Sequence, residues 1–131
     1  MGSSVIVNTR LLKFGVVGFT GVCVNTAVLY VGHELADLPL LLASAIAVEA
    51  AIVNNFVWNN LWTFSQRSFT WERLAKFNLV SLGGLAITVS ILYALVQWFA
   101  LHYLIANLFA IGVATMWNFL VNSVWTWGGA V

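Results

Sequence analysis

This sequence has very little charge. Lys, Arg, Asp and Glu together make up 7% of its 131 residues, whereas a soluble domain carries them at about a quarter of positions. It has one cysteine, Cys23, set in an apolar run. An intramolecular disulfide is therefore excluded, and the redox compartment is not encoded. There is no Gly-rich phosphate loop with a Lys, no Cys/His spacing suited to a metal, and no Ser, His and Asp set that could converge. No catalytic residue, metal site or cofactor is expected, and nucleic-acid recognition has no support. The length suits one small helical domain and leaves no room for a soluble catalytic domain, so an enzyme is not expected.

What is present is apolar. Apolar residues make up 62% of the chain and the mean hydropathy is +0.96, which marks a membrane protein. Four segments, near 12–32, 39–64, 76–100 and 103–127, approach the roughly 20 residues that a spanning helix needs. Helices are required because lipid offers no partner for an unpaired backbone group. Pro39, the single proline, suits a helix start. The connections fall at 33–38, 65–75 and a tight turn near 101–102. The first apolar run, 14–32, exceeds the roughly 7–15 residues of a signal-peptide core and is not read as cleavable. Residues 1–4 resemble a myristoylation start, but Ile6 stands where Ser or Thr is wanted, so a remnant of expression is the other reading.

The basic residues set the expected orientation. Arg10 and Lys13 precede the first span, and Arg67, Arg73 and Lys76 sit in or beside the middle connection. The other connections hold Glu34, Asp37, His33 and His102 without Lys or Arg. The positive-inside rule then places both termini and the middle loop in the cytoplasm, for a multi-pass protein of the cytoplasmic membrane. Trp62, Trp71 and Trp125 would lie near that interface, where amphipathic rings are favoured. The stretch 67–76 is expected as a short interfacial helix.

The chain repeats itself. Asn55, Phe56, Asn59, Trp62 and Thr63 recur as Asn118, Phe119, Asn122, Trp125 and Thr126, a displacement of 63. The same displacement carries Lys13-Phe14 onto Lys76-Phe77, Gly21 onto Gly84 and Leu29-Tyr30 onto Leu92-Tyr93. Agreement of separate blocks on one register defines an internal repeat. The expected fold is an all-α membrane protein, a single domain over 1–131. Its four transmembrane helices form two parallel-repeat helical hairpins, about 12–64 and 75–127, related by a pseudo-two-fold axis along the membrane normal. Gly18, Gly21 and Asn25 fall on one face of the first helix, where small residues admit a close neighbour.

Glu49 is the most informative single residue. It lies ten residues into the second span, about 15 Å from the outer end at 1.5 Å per residue. A carboxylate at that depth costs at least about 2.5–3.5 kcal/mol, so it is expected to face the interior, water or a partner. Asn25 and its equivalent Thr88 are the polar residues nearest in depth. The repeat places Gly112 opposite Glu49, so the acid occurs once. Glu49 is read either as a protonatable or substrate-contacting group, or as a neutral acid bonded across helices. Asn55, Asn59 and Trp62 form one helical stripe at i, i+4 and i+7, matched by Asn118, Asn122 and Trp125, with Asn60 on the Glu49 side. Such amides suit sugar hydroxyls or phosphate oxygens, and equally suit helix–helix contact at about 0.6 kcal/mol each. Lys13 and Lys76 stand at equivalent span entrances, with Arg10, Arg67 and Arg73 as a wider basic rim. This set either fixes topology alone or attracts an anionic headgroup at about 1 kcal/mol per residue.

The order of these motifs resembles the GtrA-like family of small four-span membrane proteins. In that pattern each half opens with a basic residue and Phe before a Gly-containing span, and closes with Asn-Phe, Asn and Trp-Thr/Val-Phe. Here Lys13-Phe14, Gly18, Asn55-Phe56, Asn59 and Trp62-Thr63-Phe64 supply it, then Lys76-Phe77, Asn118-Phe119, Asn122 and Trp125-Thr126-Trp127. Asn60 stands where the family often has Arg, and Trp127 replaces a final Phe. The resemblance implies flipping of a polyprenyl-phosphate-linked sugar to the outer leaflet for surface polysaccharide synthesis. Lys13, Lys76 and the Asn stripes would capture the headgroup, and Glu49 and Asn25 would meet it at mid-span. Expected partners are that lipid, membrane lipids and further copies of the chain. The alternative is an anchor or accessory subunit of a polyprenyl-phosphate glycosyltransferase. A third reading is a proton-coupled small-molecule exporter built on Glu49.

Overall fold

The computed structural model describes residues 2–128, the side chain of Ser3 apart. Four helices carry the chain: α1 (Gly2–Tyr30), α2 (Leu40–Trp58), α3 (Trp71–Phe99) and α4 (Tyr103–Val121). All four are long and apolar enough to cross a membrane. The chain divides into two compact units, Met1–Thr70 and Trp71–Val131. The first is a hairpin of α1 on α2, the second a hairpin of α3 on α4.

Each hairpin closes through small residues. Ala43 and Ala47 on α2, four residues apart, are 1% and 0% exposed; Ala106 and Ala110 repeat this on α4 at 0% each. In lipid, where apolar surface gains nothing by leaving water, close backbone approach and dispersion hold helices together, and small side chains permit both. Toward the other end of each hairpin Phe14 and Val17 on α1, and Phe77 and Val80 on α3, are also buried. Of the described glycines, Gly21 and Gly84 leave the least room for a side chain. A Cβ on Gly21 would fall on the Asn55 amide, and one on Gly84 would lie 2.7 Å from the Asn118 Nδ2.

The turns also repeat. Asp37 (φ 56°) and Ala100 (φ 52°) are equivalent left-handed residues, each followed by an amide that reaches back six residues: Leu38 to the Gly32 carbonyl (2.9 Å) and Leu101 to the Leu95 carbonyl (3.1 Å). These bonds satisfy carbonyls that a helix end leaves open. Pro39 and His102 then occupy equivalent N-cap positions. His102, in the turn between α3 and α4, caps α4, with its Nδ1 accepting from the Leu104 amide at 3.2 Å.

Three expectations are corrected. The first helix begins at Gly2, ten residues before the expected span; residues 2–4 belong to it, and Met1 lies outside the described residues. No separate interfacial helix occupies 67–76. Residues 71–76 open α3 instead, because Glu72, Arg73, Leu74, Ala75 and Lys76 are good helix formers and Glu72 pairs with Lys76 at 3.3 Å across one turn. The Asn55, Asn59 and Trp62 stripe is broken. Residues Asn59–Thr63 form a wide i→i+5 turn, and Asn122–Thr126 another. The extra residue per turn shifts the phase, so Asn59 and Asn60 are both 1% exposed while Trp62 is 43% exposed. Asn60 therefore does not share a face with Glu49. Its Nδ2 donates to the carbonyls of Gln66 and Ser68, both at 3.1 Å, and ties the following connection to the helix end.

Candidate functional site

The wide turns build the basic end of each hairpin. Within them Thr63 donates to the Asn59 Oδ1 at 2.7 Å, and Thr126 to the Asn122 Oδ1 at 2.6 Å. The turn closes with the Phe64 amide on the Asn59 carbonyl and the Trp127 amide on the Asn122 carbonyl, both at 2.9 Å. This geometry tucks Phe64 and Trp127 inside and turns Trp62 and Trp125 outward. The Lys13 Nζ then lies 5.3 Å from the Trp62 ring, and the Lys76 Nζ lies 5.3 Å from the Trp125 ring. The Arg10 guanidinium sits 5.5 Å from the Phe64 ring. A ring face attracts a cation without using its N–H donors, so the ammonium is held in place while its donors can still serve an anion.

The predicted residues fall into three groups. Arg10 and Lys13 converge at one end of the first hairpin, and exposed Arg67 follows the same wide turn. Arg73 and Lys76 lie one turn apart on α3. Asn25 and Asn55 meet with Gly18, Gly21, Val22 and Ala51 around a crevice of about 250 Å³. The shared face of Gly18, Gly21 and Asn25 is thus as expected. Asn59 and Asn122 are sealed inside their hairpins, at 1% and 0% exposed. Asn118 is half-buried against Gly84.

Glu49 stands apart from all of these. It is exposed, on the side of α2 opposite the buried Ala47, since two residues advance a helix by about 200°. It does not line the Asn25 crevice. The carboxylate is about 14 Å along α2 from Leu40 at 1.5 Å per residue.

Sequence reasoning missed Thr20, Asn54, Trp58 and Leu61. The Asn54 Nδ2 donates to the Thr20 hydroxyl at 3.1 Å, and that hydroxyl donates to the Val17 carbonyl at 2.6 Å. Thr20, Trp58, Leu61 and Trp62 line a groove of about 520 Å³ with Val16 and Val17. The pairing of Lys13 with Trp62 carried a signal, because both residues recur together at 76 and 125.

Four apolar spanning helices in two hairpins, each ending in a lysine seated on a tryptophan, define a multi-pass integral membrane protein. The chain belongs to the family described as GtrA/DPMS, transmembrane domain, which it matches over residues 13–127. It is 38% identical over 120 residues to a dolichol-phosphate mannosyltransferase of Pyrococcus furiosus, covering 90% of this chain and 34% of that protein. The chain therefore spans about a third of that relative's length. It is 29% identical over 126 residues to the uncharacterized membrane protein YngA of Bacillus subtilis, covering 95% of this chain and 76% of that protein.

Proposed function

We propose that the protein moves a polyprenyl-phosphate-linked sugar from the cytoplasmic to the outer leaflet. The observation that carries this reading is Glu49, an acid midway along a spanning helix and exposed on its surface. Keeping a carboxylate at that depth costs at least about 2.5–3.5 kcal/mol. The position is explained if a polar headgroup passes it. The basic rim of Arg10, Lys13, Arg67, Arg73 and Lys76 draws the lipid phosphate to the inner surface, at about 1 kcal/mol per residue. Only phosphate and sugar need cross, while the tail remains in hydrocarbon. Asn25, half-buried beside Asn55 in its crevice, offers an amide to a hydroxyl of the sugar. Family membership supports the substrate class, as does a relative named for dolichol-phosphate mannose transfer.

The decisive measurement is translocation of polyprenyl-phosphate sugar by the purified chain in liposomes. The wild type should equilibrate the lipid between leaflets, and Glu49→Gln should slow it several-fold. Absence of any translocation by the folded chain would defeat the reading.

A second reading is favoured by one observation: the mannosyltransferase relative is about three times the length of the matched part. On this reading the hairpins anchor or support a separate glycosyltransferase and perform no glycosyl transfer themselves. Co-purification with such an enzyme, together with full activity of Glu49→Gln, would select it.

A further inference from the structure

The two basic ends are built from equivalent residues, yet one is open and the other is occupied by the protein itself. In the first hairpin Lys13 sits on Trp62 with Arg10 one turn away. The acids of residues 2–70 are Glu34, Asp37 and Glu49, two at the opposite end and one at mid-span. In the second hairpin the Lys76 Nζ is shared between the Trp125 ring at 5.3 Å and the Glu72 carboxylate at 3.3 Å. The position equivalent to Glu72 in the first hairpin is Thr9.

The walls beside these lysines differ in the same sense. The groove of about 520 Å³ along α1 and α2 shares Trp62 with the Lys13 contact. Its one aliphatic hydroxyl, on Thr20, donates to the Val17 carbonyl and accepts from Asn54. Both of its roles are filled, so an apolar chain lying there does not strand that hydroxyl. At the equivalent place in the second hairpin Thr20 becomes Gly83 and Asn54 becomes Trp117. The Trp117 Nε1 donates to the Val80 carbonyl at 3.1 Å, and the indole lies 3.1 Å from where a Gly83 Cβ would stand. The indole covers the face that Thr20 leaves open.

We propose that the first hairpin alone binds the lipid: Lys13 and Arg10 hold the phosphate of a polyprenyl phosphate, and its first isoprene units lie in the groove along Trp58, Leu61 and Trp62. This rests on the reading of the chain as a protein of polyprenyl-phosphate-linked sugars, and names which half recognises them. A phosphate gains charge-assisted hydrogen bonds from an ammonium and a guanidinium that no carboxylate has claimed among the described residues. At Lys76 the same phosphate competes with Glu72 for the ammonium, so the second site, although Arg73 stands there where Arg10 stands in the first, holds it less well. The groove begins where the phosphate is held, so head and tail of one molecule fit the two features together.

The test uses the intact chain in detergent with a polyprenyl phosphate bearing a photoreactive diazirine in its first isoprene units. Adducts should map to 16–20 and 58–62, and labelling should be saturable. Lys13→Gln should weaken it about tenfold, the effect of losing one charged hydrogen bond, and Lys76→Gln by less than about twofold. Equal labelling of 79–83 and 121–125 by the wild type would overturn the assignment to one hairpin while leaving the substrate class intact. Equal competition by dioleoyl phosphatidate would overturn the commitment to an isoprenoid. Absence of any saturable labelling would sink both this proposal and the substrate class on which it rests. The wild-type map is independent of whether any variant folds.

Discussion

Set side by side, the two hairpins agree where helix meets helix and differ where they face outward. Gly21 and Gly84, Ala43 and Ala106, Ala47 and Ala110, and Asn59 and Asn122 do the same work in both. The outward positions diverge, Glu49 against Gly112 and Thr9 against Glu72, and one contact between helices diverges with them: Asn54 on Thr20 in the first hairpin, Trp117 on the Val80 carbonyl in the second. Even the far ends part company. Val31–Leu35 is a wide turn in the first hairpin, where His33 Nδ1 meets the Leu38 carbonyl at 2.9 Å, while 94–98 continue α3 as ordinary helix. A contact between two backbones tolerates few side chains, so it is retained in both copies. An outward face carries no such constraint, and one copy can become a binding surface while the other becomes a support.

The largest effect should come from filling the closest approaches. Gly21→Leu and Gly84→Leu should each destabilise by about 1–3 kcal/mol, because the neighbour is an amide on the facing helix. Reversible unfolding in mixed micelles measures this. Combining each with Asn55→Ala or Asn118→Ala should recover part of the loss in its own hairpin only. Cross-recovery between hairpins would break the comparison.

Next come the amides of the wide turns. Asn59→Ala should cost about 1–3 kcal/mol by stranding the Thr63 hydroxyl. Asn122→Ala strands the Thr126 hydroxyl in the same way but should cost less, because it also removes a buried Nδ2 that has no hydrogen-bond partner among the described residues. Equal costs in the same unfolding assay would contradict this difference.

Smaller effects separate the turns. Ala100→Gly should stabilise by up to about 1 kcal/mol, since an alanine at φ 52° is strained and glycine is not. The equivalent Asp37→Gly should gain less, because Asp tolerates the left-handed region better. Melting temperatures of the two variants compared directly would show the order.

The smallest effect on stability should be that of Glu72→Gln. This exposed pair contributes about 0.2–1 kcal/mol. The same substitution should sharpen the comparison in binding, by freeing Lys76 to label with the polyprenyl phosphate probe. A second hairpin that stayed unlabelled would point to Trp117 as the dominant block.

The four spans and their pairing are legible because apolar runs and a repeat of 63 positions survive in one dimension. Lys13 and Lys76 are legible as a pair for the same reason. The Asn stripe misleads because a 3.6-residue period does not carry through 59–63 and 122–126, where the chain takes wider turns. Propensity does not announce such a turn. It is stabilised by the Thr-to-Asn bond within the turn and by the burial of Phe64 and Trp127, and that burial depends on the facing helix. Thr20 and Asn54 escape notice because they lie 34 residues apart and meet only once the hairpin closes.

Composition alone settles that this chain lives in lipid, since so apolar a sequence has no other solvent, and the repeat alone settles that it is built twice. Which lysine is free, which amides are sealed and where a groove opens were decided only by folding. Those properties belong to pairs of side chains on different helices, and a pair has no meaning until the helices touch.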